Sequence, residues 1–339
     1  LGVIISASHN PSEYNGIKLI GKSGSKLDDD LEIEIEKELD NVNLQDNNAK
    51  IDNSTKGYDV YLEYLKNVNN LKFDKFDLVV DAANGSAFKV IEDLLLSKSA
   101  KFKLISNNPD GKNINHNCGA TFPENLQENI SKGQIGISFD GDADRIIMCD
   151  EKGKIINGDQ IIAMLARRWK LKKILKGGVI GTLMSNYGLE KFLKKEKIKF
   201  FRSKVGDRYV KEKMKKMNFN LGGEQSGHII LGKFATTGDG LMVALEVLFS
   251  IRKRKKASKL LNVFTPLPQV LENVVVKDKN IINTSKCINT IRKANKIMGH
   301  KGRLLIRKSG TEPKIRIMGE SYDKSLILKC IKMIKKSIK

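Results

Sequence analysis

The chain has 339 residues, 61 of them Lys or Arg against 39 Asp or Glu, a formal charge of +22, and is 40% hydrophobic but only 6% aromatic. That composition excludes a disordered or fibrous chain, and the length predicts two or three domains, each burying its own core. The positive charge suits an anionic partner, either a nucleic acid or a small phosphate-bearing substrate drawn in by the field. Lysines are strewn along nearly every segment, however, and the densest runs, Arg252 to Lys256 and Lys332 to Lys339, lack interleaved aromatics on which bases could stack. A solvated lysine-rich surface with no nucleic-acid partner is therefore expected. Cys118, Cys149, Cys287 and Cys330 lie far apart without metal-type spacing, which predicts free thiols in a reducing cytoplasm. No apolar run approaches the roughly 20 residues of a membrane span, so no membrane partner is expected. The chain opens on Leu1 rather than Met, inside an apolar run, and reads as a piece lacking its N-terminus.

In chain order, LGVII and IKLI are predicted strands on either side of the polar loop SASHNPSEYNG, whose Asn-Pro and Asn-Gly pairs signal turns. Asp28 to Leu39 is a predicted helix, with acids in its first turn and Leu31, Ile35 and Leu39 at i, i+4 spacing. The Asn-rich stretch from Asn41 to Thr55 reads as a linker. FDLVVDAANGSAFKVIEDLLL then opens a strand–turn–helix unit, seconded by a strand over Phe102 to Ile105. After a loop containing Pro109, Gly111 and Gly119, two apolar runs flank the acidic loop of QIGISFDGDADRIIMCD. A helix over Ile161 to Lys172 follows, and from Gly177 strands GVIGTL and KFFRS alternate with helices GLEKFLKKE and RYVKEKMKKM. LGGEQSGHIIL and a helix from Asp239 to about Arg252 complete that block. Such alternation predicts α/β domains with mixed or parallel sheets. Beyond Pro266 the pattern becomes strand VLENVVV, helix INTIRKANKIM, hairpin RLLIRKSGTEPKIRIMGES and helix SLILKCIKMIKK, a small α+β domain.

Asp140, Asp142 and Asp144 alternate in FDGDADR, so an extended loop could converge three carboxylates on one hard cation; three oxygens with no His or Cys suit magnesium. A calcium loop of EF-hand type competes, since Glu151 falls at its twelfth position, but Arg145 occupies the sixth, where glycine is needed, and apolar Ile146 to Met148 follow. A solvated acidic turn without a cation is the remaining alternative. Magnesium held by carboxylates commonly leaves room for phosphate oxygen. In SASHNP, Ser8 sits beside His9 in a turn set by Asn10 and Pro11, a placement that could present a nucleophilic hydroxyl. In RKSGTEP, Arg307, Ser309, Gly310 and Thr311 combine a guanidinium, two hydroxyls and backbone amides, an inventory for cradling a phosphate, although a plain hairpin turn is the simpler reading. In GGEQSGH, Glu224, Ser226 and His228 offer acceptors and donors to a polyol, or else form a glycine-rich connection.

SASHNPSEYNGIK, FDGDADR, GGEQSGHI and RKSGTEP, in this order, resemble the four signature loops of the α-D-phosphohexomutase superfamily, over essentially the whole chain. GEQSGH, with TLMSNYGL and VGDRYV, is most similar to bacterial members acting on glucosamine phosphates; the mannose and glucose phosphate branch is the alternative, and a basic nucleic-acid-binding protein a remote one. The resemblance implies consecutive α/β domains with mixed sheets plus a C-terminal α+β domain like the TATA-box-binding protein. On this division 1–54 is a remnant of the first domain with the phosphoserine loop and a linker helix, 55–154 carries the metal loop, 155–265 the sugar loop and 266–339 the phosphate loop. It implies an intramolecular phosphotransferase in cell-wall amino-sugar precursor synthesis, whose phosphorylated Ser8 converts glucosamine 6-phosphate to glucosamine 1-phosphate through a 1,6-bisphosphate that also serves as activator. Asp140, Asp142, Asp144 and the phosphate on Ser8 would hold one Mg2+; His9, Lys18 and Arg145 would act beside the transferred phosphoryl. Glu224, Ser226 and His228 would contact the sugar, with a structural role as the alternative for His228, while Arg307, Ser309, Gly310, Thr311 and Arg316 would grip the other phosphate. Arg316 has the alternative of pairing with Glu312 or Glu320. Most of the first domain, on the order of 100 residues by typical domain size, is expected to be absent, leaving this chain poorly active alone. The oligomer stays open, a homodimer among the options.

Overall fold

The computed structural model describes residues 2–22, 24, 26–39, 54–251, 256–309 and 312–338. Leu1, most of the predicted Asn41 to Thr55 linker, Arg252 to Arg254 with Lys255, Gly310, Thr311 and Lys339 lie outside the described residues. The elements run β1 (Gly2–Ser6), β2 (Gly16–Ile20), α1 (Asp29–Glu38), α2 (Lys56–Asn67), β3 (Asp77–Asp81), α3 (Ala87–Ser97), β4 (Lys101–Ile105), α4 (Pro123–Asn129), β5 (Ile135–Phe139), β6 (Ile146–Cys149) and β7 (Ile155–Ile156). Then follow α5 (Gly158–Leu171), β8 (Gly178–Thr182), α6 (Tyr187–Lys195), β9 (Lys199–Ser203), α7 (Asp207–Met217), β10 (Leu221–Gly223), β11 (Ile229–Leu231), α8 (Gly240–Ile251) and α9 (Ala257–Leu261). The chain closes with β12 (Gln269–Val275), α10 (Ser285–Met298), β13 (Gly302–Lys308), β14 (Lys314–Ser321) and α11 (Lys324–Ile338). By packing, the chain divides into two units, one of residues 1–158 and 226–261, the other of 159–225 and 262–339.

In the first unit a sheet of order β4-β3-β5-β6-β7 is parallel from β4 to β5 and antiparallel from β5 to β7. Strands buried on both faces should be continuously apolar, and IGISF of β5 and IIMC of β6 are buried throughout. Helix α8, apolar all round, is buried along nearly its whole length, and its Phe249 joins Phe73 and Phe76 in an aromatic cluster. β1 and β2 form a separate antiparallel ribbon, with Val3, Ile5 and Ile17 exposed.

The second unit contains parallel strands β10-β8-β9 and an antiparallel sheet β12-β14-β13 backed by α10 and α11 around Cys287, Ala294, Ile315, Ile317 and Ile331. The expected fold class, α/β domains with a C-terminal α+β layer, is the one observed. Helices α2 and α4 were not expected. The first follows directly on the Asn-rich stretch, yet Leu62 and Leu65 are buried; the second begins on Pro123, which favours the first helical position while reading as a loop residue in sequence. No described helix is long and apolar enough to cross a membrane. All four cysteines are free and buried.

Candidate active site

The acidic loop connects β5 to β6, so a buried strand delivers Asp140 and the antiparallel return tightens the turn. The Arg145 amide donates to Asp140 Oδ1 at 3.0 Å and the Ala143 amide to the Asp140 carbonyl at 2.9 Å. Ala143 takes a left-handed φ of 59°, which an alanine adopts only when its surroundings impose it. Asp140, Asp142 and Asp144 each bring an oxygen within 4.8 Å of the others. Among the described residues Asp140 Oδ2, Asp142 Oδ1 and Asp144 Oδ1 are buried without a hydrogen bond. Three converging oxygens in that condition fit a hard cation such as magnesium, because without one their mutual repulsion and desolvation are only partly offset by Lys18 and Arg145. Without a cation, burial together with the Asp144 and Asp142 carboxylates pushes Asp140 up to about 8. Asp144 is also pushed up, chiefly by burial. Burial pushes Asp142 up too, but the hydrogen bond and charge of Lys18 together with the hydrogen bonds of Ser6 and Asp140 outweigh this and hold it below the usual range.

The Ser8 loop meets this acidic loop. Lys18 Nζ lies 2.6 Å and Ser6 Oγ 3.1 Å from Asp142 Oδ2, and Ser6 Oγ also accepts from the Ser8 amide at 2.8 Å. Ser8 has φ 52°, and its Oγ lies 3.2 Å from His9 Nδ1. Burial, then the Arg145 charge, lower the His9 pKa, so the ring is neutral at neutral pH and one nitrogen can accept a proton. Gly141 packs beneath: a Cβ there would stand 2.5 Å from the Ser8 carbonyl oxygen, so the two loops approach as closely as only glycine permits.

His228 is buried, with Nε2 3.6 Å from Asp144 Oδ2 and its ring against Gly238. Ser226 is exposed. In the second unit Glu224 Oε1 accepts from the Gly206 amide at 3.0 Å, which joins the loops following β9 and β10. Arg307 and Arg316 stand directly opposite each other in β13 and β14. Like charges in that position repel, and Arg316 Nη2 is offset by Glu312 Oε2 at 3.2 Å, the pairing foreseen as its alternative. Ser309 is buried, its amide donating to the Lys314 carbonyl and its carbonyl accepting from Lys279 Nζ. Gly310 and Thr311 lie outside the described residues. The sequence leaves Ser6 as only a neighbour of Ser8 and does not single out Lys279; the bond of Ser6 to Asp142, 136 residues away, is what gives it a place in the site.

Family models described as phosphoglucomutase/phosphomannomutase α/β/α domain I, II and III match residues 1–46, 59–153 and 157–267, and that of the C-terminal domain matches 269–337. A phosphoglucosamine mutase of Pelagibacter ubique (strain HTCC1062) is 55% identical, over 100% of this chain and 79% of its own length. One from Afipia carboxidovorans is 44% identical, over 98% of this chain and 77% of its own length. Among solved structures, a phosphoglucomutase/phosphomannomutase family protein of Burkholderia thailandensis shares the fold with a TM-score of 0.81 at 23% identity, covering 99% of this chain and 75% of that one. An Aspergillus fumigatus N-acetylphosphoglucosamine mutase, solved with GlcNAc-6P and magnesium, does so with a TM-score of 0.80 at 20% identity, covering 100% of this chain and 89% of that one. The chain belongs to the phosphoglucomutase/phosphomannomutase family.

Proposed function

We propose that this chain is a phosphoglucosamine mutase that interconverts glucosamine 6-phosphate and glucosamine 1-phosphate through phosphorylated Ser8 and glucosamine 1,6-bisphosphate. The observation that carries this reading is the meeting of the Ser8 loop and the acidic loop, joined through Ser6 and Lys18 on Asp142. The named relatives support the substrate class. The sugar's O1 attacks phosphorus on Ser8 as the bond from phosphorus to Ser8 Oγ breaks, the O1 proton being taken by a neighbouring base and the departing Ser8 Oγ gaining one, and the 1,6-bisphosphate forms. In the return half Ser8 Oγ attacks the 6-phosphoryl phosphorus and gives its proton to His9 Nδ1, 3.2 Å away, while the bond from phosphorus to O6 breaks and O6 takes up a proton in turn, releasing glucosamine 1-phosphate and restoring phosphorylated Ser8. Magnesium held by Asp140, Asp142 and Asp144 supplies, when bound, positive charge against the phosphoryl oxygens. Arg145 adds charge beside this loop, Lys18 neutralises Asp142, and the buried His228 ring lies beside Asp144, 3.6 Å from its carboxylate. Glu224 and Ser226 recognise sugar hydroxyls, while Arg307, Ser309, Gly310, Thr311 and Arg316 grip the non-reacting phosphate; opposed arginines are an arrangement that an anion relieves. The segments 1–54, 55–154, 155–265 and 266–339 are proposed as the carriers of the phosphoserine, metal, sugar and phosphate loops, and the cytoplasm as the site of action.

A coupled assay for glucosamine 1-phosphate, run with magnesium and a hexose bisphosphate on the complete protein beside Ser8→Ala, tests this. Activity in the wild type and its loss in the variant is expected. A wild type that ignores glucosamine phosphate but turns over mannose or glucose phosphate would transfer the reading to that branch.

A further inference from the structure

Besides the bond of Ser6 to Asp142, a second side chain from outside the carrier loop grips its backbone. We propose that Asn115 is a positioning residue for the phosphoryl carrier: its side-chain amide donates one hydrogen to the Ser8 carbonyl at 2.9 Å and the other to the Asn10 carbonyl at 2.8 Å, fixing the turn that presents Ser8. The inference rests on the proposed role of Ser8.

The reasoning starts from strain. Ser8 stands in the left-handed region at φ 52°, a conformation that persists in a non-glycine residue only when its surroundings determine it. Within the loop two bonds oppose relaxation, from the Ser8 amide to Ser6 Oγ and from the Asn10 amide to the Ala7 carbonyl. The carbonyls of Ser8 and Asn10, on either side of His9, are both taken by Asn115, so rotation about the intervening bonds costs hydrogen bonds at both ends. Gly141 seats the same carbonyl, since a Cβ there would lie 2.5 Å from Ser8 O and 2.8 Å from Asn115 Nδ2.

Asn115 is itself built into a rigid base. It is buried, and its amide donates to the Ala83 carbonyl at 2.9 Å at the C-terminal end of β3. Its loop is tied by further asparagines: Asn84 Nδ2 donates to the Asn113 carbonyl, Asn84 Oδ1 accepts from the Asn108 amide, and Asn113 Nδ2 donates to the Asn108 carbonyl. Asn115 has φ 56°, which asparagine and glycine tolerate better than other residues. The ends of parallel strands β3 and β4 thus hold a loop whose one inward amide grips the carrier turn.

This geometry separates positioning from packing through two substitutions. Asn115→Asp keeps size and shape but replaces both donors with acceptors facing two carbonyl oxygens. Asn115→Gly removes the side chain but keeps the left-handed backbone accessible. A packing role makes Gly the worse variant; a positioning role makes Asp the worse. We would measure kcat, KM for glucosamine 6-phosphate, and the single-turnover rate of phosphoryl uptake at Ser8 from a hexose 1,6-bisphosphate, followed by intact-protein mass. Expected is a kcat loss of about 100-fold for Asp, the scale of a 1 Å misplacement, with a smaller loss for Gly. Ser8 phosphorylation should slow by the same factors while KM stays within about threefold. Gly and Asp variants that phosphorylate Ser8 at the wild-type rate, or a Gly variant slower than Asp, would overturn the inference. Should Asp fail to fold, a Gly variant that folds and retains wild-type kcat overturns it equally, and one with kcat reduced at unchanged KM supports it. If the wild type takes up no phosphoryl at Ser8, the proposed function falls first and this inference with it.

Discussion

Asp142 Oδ2 receives two donors, the Lys18 ammonium from β2 and the Ser6 hydroxyl from the end of β1. The Ser6 oxygen accepts from the Ser8 amide as it donates to the carboxylate, so one hydroxyl couples the carrier turn to the acidic loop. Replacing it by alanine leaves a strained backbone amide and a partly buried carboxylate oxygen each one partner short, a loss of about 1–3 kcal/mol for such groups. Ser6→Ala is therefore expected to lower kcat by roughly tenfold or more with little change in unfolding midpoint, since the ribbon around it is largely exposed; an unchanged kcat would show that the coupling does not matter. At this scale the sequence displayed the acidic triplet and the serine beside His9 because those residues are adjacent in the chain. Ser6 and Asn115 were hidden for the converse reason. Their partners lie 136 and 107 residues away, and neither serine nor asparagine in a turn announces a distant carbonyl or carboxylate.

At the scale of elements, the acidic loop is supported by the N-terminus of α8. The Gly240 amide donates to the Ala143 carbonyl at 2.9 Å, and a Cβ on Gly240 would stand 2.8 Å from the Arg145 carbonyl oxygen. Asp239 caps this helix, its Oδ1 accepting from the Met242 amide at 2.8 Å and from Tyr61 Oη of α2 at 2.9 Å. A cap of this kind contributes about 1 kcal/mol, here spent on aligning the amide that holds Ala143 in its left-handed turn. Asp239→Ala should accordingly raise the magnesium concentration needed for half-maximal thermal stabilisation several-fold, and Tyr61→Phe should do so more weakly; an unaltered magnesium requirement in a folded Asp239→Ala would show that α8 does not set the loop. The start of α8 was legible to within one residue because the apolar run Leu241 to Leu245 follows Gly240. The role of α2 was not legible, since the sequence predicts no helix there and the partner of Tyr61, Asp239, lies 178 residues away.

At the scale of the whole molecule, stability also depends on groups buried within the second unit. In the second unit Asp159, at the start of α5, is fully buried, and its Oδ2 accepts from the Asn186 amide at 2.7 Å. The Asn186 side chain exchanges two hydrogen bonds with the backbone of Leu267, and Arg303 donates to the carbonyls of Leu183 and Ser185 while pairing with buried Glu320. Asp159 thus underlies the node where α5, the turn after β8, the segment entering β12 and strand β13 are fastened. Burial pushes its carboxyl up to about 7 against the bond from Asn186. Because the folded value is raised, the folded chain retains a proton that the unfolded chain releases at pH values between about 4 and 7. The stability associated with that proton is fully present below the unfolded value and is lost as pH rises through the folded one. Asp140, pushed up to about 8 without a cation, acts in the same direction, and magnesium should cancel its share. In magnesium-saturated protein, Asp159→Asn retains an acceptor for the Asn186 amide but has no proton to lose. Its urea midpoint relative to wild type should therefore rise steadily from pH 5 to pH 7.5. A difference independent of pH over that range would mean that Asp159 titrates as an ordinary carboxylate and that the node is held together without the proton.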